Sequence, residues 1–232
     1  MNPHLVLVHG AWHNADAFSA LRELLAQRRI DSSVVELGSV AAEGEAIGDM
    51  YQDAERVRDA IDALDRPCYV LAHSYGGVPV SQGLEGATNV QGLIFLTAFV
   101  LGRGETLFEA CGSQDPPWWL RSDDNTRVVP QDPSSIFYNT CDKETARLAE
   151  QSLRTQSLSS FTQPLTHCAW ESIPSTYITC SLDNAIPLFA QEAMAQRTTT
   201  VHALETDHSP FLSDPQTLAD IIATTMGAKN AD

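Results

Sequence analysis

Tyr69-Val70-Leu71-Ala72-His73-Ser74-Tyr75-Gly76-Gly77 is the stretch on which the fold turns. Cys68–Ala72 carries a strand signal, and helical spacing resumes at Tyr75–Leu84. Between them lies small-x-Ser-x-Gly. A serine on so tight a strand-to-helix turn takes a strained backbone, and the residues two before and two after it must be small because strand and helix approach closely there. Ala72 stands where glycine is usual and keeps the steric logic. The turn would carry the Ser74 hydroxyl to the carboxyl end of its strand, the edge where open α/β sheets bind ligands. The helix N-terminus beneath favours a developing anion. Ser74 is thus the candidate nucleophile, although a serine N-cap on an ordinary turn would share the local pattern. Pro79, a little inside the helix, is expected to bend it.

Outward from this stretch, strand-like runs alternate with helical ones. Strands are expected at Leu5–Val8, Ser33–Leu37, Cys68–Ala72, Gln91–Thr97, Ser175–Cys180 and Thr199–Leu204. Helices are expected at Ala15–Arg29, Asp49–Leu64, Tyr75–Leu84, Leu188–Gln196 and Pro215–Met226, the last with proline at its first turn. Helical crossovers of this length imply an α/β fold with a mostly parallel six-stranded sheet and helices on both faces. Residues 103–174 break the rhythm. Pro116-Pro117, Trp118-Trp119 and Asp123-Asp124-Asn125 interrupt them, no strand pattern appears, and one helix is expected at Lys143–Leu153. A stretch this long is no ordinary loop. The chain therefore reads as a single domain, with residues 1–102 and 175–232 as the core and 103–174 as an inserted, largely helical lid over the carboxyl edge. Trp118, Trp119 and Phe137 are expected to bind substrate from the lid, with Tyr138 and Phe161 as further candidates.

A serine nucleophile needs two backbone N–H donors for the oxyanion of its tetrahedral intermediate. Tyr75, the next residue, would give one. The loop Val8-His9-Gly10-Ala11-Trp12-His13 after the first strand would give the other through Ala11, with Gly10 permitting the turn. His9 is expected to brace that loop, and Trp12 and His13 to border the pocket mouth. The serine also needs an imidazole at the same sheet edge. Of seven histidines, His4 and His202 fall within strands and His73 sits beside the nucleophile, pointing elsewhere. His208 fits, in the polar loop after the last strand. Asp183, after Tyr177-Ile178-Thr179-Cys180, is the expected acid, and the order Ser, Asp, His suits this topology. Glu205 and Asp207 are rivals, but Asp207 is too close in sequence to reach Nδ1 of the neighbouring ring.

Composition narrows the function. The 232 residues carry a net charge of −16, which repels nucleic acid and anionic lipid and mildly disfavours anionic substrates. No apolar run is long enough to span a bilayer. The N-terminus lacks a basic and apolar leader, so a cytoplasmic location is expected. Five cysteines without a CxxC pair argue against a disulfide framework or zinc site. No metal or organic cofactor is expected. The sequence leaves room for a homodimer without naming the oligomeric state.

The segments HGAWH, AHSYGG, FLTAFV, YITCSLDNAIP and ETDHSPFLSDP together resemble the α/β-hydrolase superfamily. The closest branch looks like the plant methylesterases and hydroxynitrile lyases with their bacterial esterase relatives. The resemblance spans most of the chain and is weakest in the lid. It implies a Ser74–His208–Asp183 triad, an oxyanion hole from the Ala11 and Tyr75 amides, and a lid that shapes an apolar pocket. Plant hydroxynitrile lyases of this branch have lysine directly after the catalytic histidine and threonine in the oxyanion loop. Here those positions are Ser209 and Ala11, which favours ester hydrolysis over cyanohydrin cleavage. The expected chemistry is two-step acyl transfer on a small, largely apolar ester or lactone. A lyase and a ligand-binding receptor retaining the triad are the alternatives. An epoxide hydrolase or dehalogenase would need aspartate in place of Ser74.

Overall fold

A computed structural model describes residues 4–42 and 44–227. In chain order the elements are β1 (His4–Val8), α1 (Ser19–Gln27), β2 (Asp31–Val35), β3 (Val40–Ala41), α2 (Met50–Asp62), β4 (Cys68–His73), α3 (Gly77–Gly83) and β5 (Val90–Leu96). There follow α4 (Leu107–Ala110), β6 (Trp119–Arg121), β7 (Arg127–Pro130), α5 (Pro133–Phe137), α6 (Lys143–Ser152), β8 (Thr155–Ser157) and α7 (Ser159–Thr162). The chain closes with β9 (Ser175–Cys180), α8 (Leu188–Ala195), β10 (Thr200–Leu204), α9 (Pro210–Ser213) and α10 (Pro215–Thr225).

Six strands form one parallel sheet in the order β10-β9-β5-β4-β1-β2. Side chains alternate between its faces, and both faces are covered at the centre, which is why β1, β4 and β5 read as apolar runs while the edge strands β2 and β10 are more polar and exposed. Val6, Val8, Val70 and Ala72 pack with Met50, Val57 and Ile61 of α2 on one side. Leu5, Leu7 and Leu71 pack with Leu21 and Leu25 of α1 and Leu218 and Ile222 of α10 on the other. Caps define the helix starts: Asp49 and Gln52 close a reciprocal capping box on α2, and Asp214 caps α10 ahead of Pro215. From β1 the chain moves to β2 on one side, then to β4 on the other. The loops after β1 and β4 therefore flank the switch point, where such sheets leave a crevice.

Three sequence expectations need correction. The second strand lies at Asp31–Val35 instead of Ser33–Leu37, because the Leu37 N–H leaves the ladder and donates to His9 Nε2 at 3.1 Å. Pro79 does not bend its helix. The chain after β4 first makes a 3₁₀ turn over Ser74–Gly76, so Pro79 falls in the first turn of α3, where a missing N–H costs little. Residues 103–174 contain helices α4 to α7, but also three short strands. β6, β7 and β8 form an antiparallel sheet completed by β3 from the other part of the chain. The Asp123-Asp124-Asn125 run forms the turn of the β6–β7 hairpin, where the Asp124 carboxylate accepts from Ser122 and Thr126. Among the described residues no helix is long and apolar enough to cross a membrane.

Candidate active site

Ser74 leaves β4 with φ +53°, the left-handed region that is strained for any residue bearing a Cβ. The strain persists because the surroundings leave no room to relax. A Cβ on Gly76 would lie 2.7 Å from the His9 carbonyl oxygen, and one on Gly77 would lie 2.2 Å from the Phe99 carbonyl oxygen. The Phe99 N–H donates to the Ser74 carbonyl at 3.1 Å and ties the turn to the end of β5.

His208 is buried in the loop between β10 and α9. Its Nδ1–H donates to Asp183 Oδ2 at 2.7 Å, which leaves Nε2 as the acceptor nitrogen. Asp183 lies in the loop after β9. It accepts from Thr97 Oγ1 at 2.6 Å and from the Ala185 and Ile186 amides at 2.7 and 2.9 Å. Gln191 of α8 pins the same loop by bonds to the Cys180 and Ile186 carbonyls. The rival acids lie elsewhere. Asp207 accepts from the Ser209 and Thr140 amides and the Ser213 hydroxyl, which is the work of a loop brace. Glu205 is exposed.

His73 points away from the cavity, and its Nε2–H donates to the His208 carbonyl at 2.8 Å. It thereby supports the imidazole from beneath, with ring centroids 4.7 Å apart. Burial holds the His73 pKa well below the usual histidine range, with the nearby His208 acting in the same direction.

In the loop after β1, His9 Nδ1–H donates to the Gly10 carbonyl and braces the turn. The Ala11 N–H meets no acceptor among the described residues. Trp12 has φ +63°, and its indole N–H donates to the Val128 carbonyl at 2.8 Å. His13 does not border the pocket as expected. It is buried beneath it: Nδ1–H donates to the Ala11 carbonyl at 2.8 Å, and the Tyr138 hydroxyl donates to Nε2 at 2.9 Å. Burial depresses its pKa to about 3. Tyr138 is therefore also withdrawn from the cavity, and its apparent value as a lid aromatic is spent on His13.

A buried polar chain joins the two loops. The Tyr75 hydroxyl donates to Asp53 Oδ2 at 2.7 Å, and Ser39 donates to the same carboxylate through its amide at 2.9 Å and through its hydroxyl. Gln156 Nε2 donates to Ser39 Oγ and to Ser160 Oγ, while Gln156 Oε1 accepts from the Trp12 N–H at 3.3 Å. Burial raises the pKa of Asp53, against the pull of these donors.

Ser74, His208, Ala11 and Tyr75 share the wall of one cavity. Trp12, Trp118, Trp119, Phe137 and Phe161 supply its aromatic part, and Phe99, Leu107, Cys111, Pro116, Ala185 and Ile186 the remainder. No Lys, Arg, Asp or Glu is among these lining residues. Burial pushes the Cys111 thiol up to about 11. Of the expected lid contacts, Trp118, Trp119 and Phe137 line the cavity. Thr97, His73, Asp53 and Gln191 were not anticipated as supports. Thr97 alone carried a signal, as the polar residue interrupting an apolar run. Among the described residues no cluster of His, Cys, Asp and Glu is arranged to hold a metal.

Comparison with known proteins bears on this arrangement. A sequence model described as the alpha/beta hydrolase family matches residues 5–221. The chain is 29% identical to a pyrethroid hydrolase of Sphingobium wenxiniae over 94% of its own length and 86% of that protein. It is 24% identical to methylesterase 2 of Arabidopsis thaliana over 94% of this chain and 93% of the other. The solved structure of a pyrethroid hydrolase from Sphingobium faniae superposes with a TM-score of 0.83 at 24% identity, covering 97% of this chain and 98% of that one.

Proposed function

The chain belongs to the alpha/beta hydrolase family, and from that premise we propose that it hydrolyses a small, largely uncharged carboxylic ester or lactone through an acyl-enzyme on Ser74. His208 Nε2 takes the hydroxyl proton as Ser74 Oγ attacks the ester carbonyl. The Ala11 and Tyr75 amides receive the oxyanion of the tetrahedral intermediate. His208 returns the proton to the leaving alkoxide oxygen, releasing the alcohol and leaving the acyl group on Ser74. It then removes a proton from water, which attacks the acyl carbon. Collapse of the second intermediate frees the acid and returns the proton to Ser74. Asp183 holds the Nδ1–H tautomer and stabilises the imidazolium.

The observation that carries this proposal is the 2.7 Å contact between His208 Nδ1 and Asp183 Oδ2, set behind a serine at φ +53° on the wall of one apolar cavity. The free Ala11 N–H at the same wall supports the oxyanion assignment. Residues 103–174 serve in this reading as the lid, with Trp118, Trp119 and Phe137 receiving the apolar part of the substrate. Two relatives, a methylesterase and a pyrethroid hydrolase, carry names that agree with ester chemistry. With no lysine or arginine on the cavity wall, nothing there would hold a departing anion, which weighs against a lyase.

The test is hydrolysis of p-nitrophenyl acetate and butyrate by the native chain and Ser74→Ala, with a fluorophosphonate probe alongside. Turnover and labelling that both vanish in Ser74→Ala support the proposal. Turnover that survives in Ser74→Ala removes its central residue. Labelling without turnover would favour a receptor built on the same site.

A further inference from the structure

Trp119 belongs to β6, is 8% exposed and lines the cavity. It stacks on Phe161 with ring centroids 4.6 Å apart and an interplanar angle of 28°, and meets Trp12 and Trp118 edge-on. Its Nε1–H is buried and has no hydrogen-bond partner among the described residues. The indoles of Trp12 and Trp170 differ, each donating at 2.8 Å to a backbone carbonyl, of Val128 and Leu101 respectively. A buried donor left unpaired carries an uncompensated desolvation cost, so native structures rarely keep one without a use. The ring cannot turn toward an acceptor cheaply, since it is clamped against Phe161 while its backbone is committed to pairing with Pro130. The remaining wall carries no carboxylate, and apart from Ser74, Cys111 and His208 its side chains are aromatic and aliphatic.

We propose that the Trp119 Nε1–H is a recognition donor for a second acceptor oxygen of the substrate, an ether, ketone or hydroxyl oxygen remote from the scissile carbonyl. The inference rests on the reading of the cavity as an ester site and deepens it. The substrate class is an uncharged ester bearing one further oxygen within an otherwise apolar skeleton. Selectivity follows from the same physics. A site built to hydrogen-bond a substrate oxygen disfavours the analogue that lacks it, because that analogue leaves the donor desolvated and unpaired.

The test uses ethyl heptanoate and its isosteres with an ether oxygen in place of CH₂ at carbon 4, 5 or 6 of the acyl chain. Binding is measured first in Ser74→Ala by calorimetry, so that no turnover is needed, and then in Ser74→Ala/Trp119→Phe, which keeps an aromatic ring and removes the donor. At one ether position Kd is expected to be about 10-fold lower than for the all-carbon ester, corresponding to a hydrogen bond of about 1.4 kcal/mol. Trp119→Phe should abolish that ratio, whatever it does to the Kd of the all-carbon ester. In parallel, the indole proton resonance of Trp119, identified by its loss in Trp119→Phe, should shift downfield with the preferred ether and not with the all-carbon ester. Equal affinity along the whole series overturns the proposal, as does a preference that survives Trp119→Phe. An indole proton unmoved by every ether also overturns it and would assign the N–H to a neighbouring ring face. Turnover by the native chain reports separately on the ester reading: hydrolysis without an ether preference sinks only the Trp119 assignment. An ether preference without hydrolysis sinks only the ester chemistry and upholds the donor.

Discussion

Removing the Asp53 carboxylate should expose how the Tyr75 turn is held. Asp53 is fully buried, and three donors converge on it: the Ser39 amide, the Ser39 hydroxyl and the Tyr75 hydroxyl. In Asp53→Ala the Ser39 N–H cannot turn away, and its desolvation alone costs about 1–3 kcal/mol. The two hydroxyls can rotate, and Ser39 Oγ lies 3.4 Å from Tyr75 OH, so part of the loss is recovered between them. The expected total is about 3–5 kcal/mol, from the orphaned Ser39 amide, the lost hydroxyl bonds to the carboxylate and the cavity the side chain leaves. That is a large share of the ~5–15 kcal/mol that holds a typical domain. Tyr75→Phe removes one bond to the carboxylate and keeps the edge contact of the ring with Phe161, so it should cost about 1.5–3 kcal/mol. In the double variant the tyrosine hydroxyl is no longer there to be orphaned. The combined cost should therefore fall short of the sum by about 1–2 kcal/mol. Urea unfolding followed by circular dichroism gives all four stabilities. Additivity within about 0.5 kcal/mol, or an Asp53→Ala cost below about 1 kcal/mol, would refute the coupling.

Other perturbations have equally definite outcomes. Gly77→Ala sets a Cβ 2.2 Å from the Phe99 carbonyl oxygen, a backbone atom that cannot yield without moving the turn at Ser74. Its cost should be about 3 kcal/mol, seen as a fall in Tm of ~6–12 °C, and a fall under about 2 °C would contradict the packing argument. Burial depresses the pKa of His13 to about 3 and that of His73 well below its ordinary 6.5. Their contribution to stability is complete above pH 6.5 and is lost as pH falls, because the unfolded chain takes up the protons. The slope per histidine is about 1.4 kcal/mol per pH unit, over a window that for His13 runs from 6.5 to about 3. The native chain should therefore weaken steadily in urea titrations from pH 6.5 to 4.5, and His13→Phe by about one proton less; a flat native profile would exclude neutral buried rings. Asp183→Asn should keep the fold while lowering kcat by about 10⁴-fold, because an amide can hold the wrong imidazole tautomer. Near-native kcat in that variant would move the supporting acid elsewhere.

Much of the site could be read locally. Ser74, Asp183 and His208 each stand within four residues of the end of a sheet strand, and β4 and β9 announce themselves because they are buried on both faces. The strands of residues 103–174 gave no such warning. They are three or four residues long, Thr155-Gln156-Ser157 is wholly polar, and one of that strand's two partners is Val40–Ala41, far away in sequence. Asp53 was illegible for a related reason. On its helix it looks like an ordinary surface acid, and its burial is created by Ser39 and Tyr75, brought in from other elements. His13 was misjudged because its neighbours in sequence suggest a pocket rim, whereas Tyr138, 125 positions on, supplies the partner that draws it inward. Local rules find groups that chemistry sets on loops. They do not find groups whose role exists only after distant segments meet.

If residues 103–174 act as the proposed lid, the small antiparallel sheet has a kinetic consequence. Its strand β8 and neighbours are stitched to the floor of the cavity: Arg154 N–H donates to the Trp12 carbonyl at 2.9 Å, Ser157 N–H to the Ser39 carbonyl at 2.8 Å, and the Trp12 N–H reaches Gln156. Roof and floor are thus interlocked. Any excursion wide enough to lift the roof as one body also strips the Trp12 loop of its tethers and disorders the donor at Ala11. On the proposed hydrolase reading, an uncovered Ser74 and a formed Ala11 donor would then be mutually exclusive states, so water that enters during opening would meet a disarmed nucleophile.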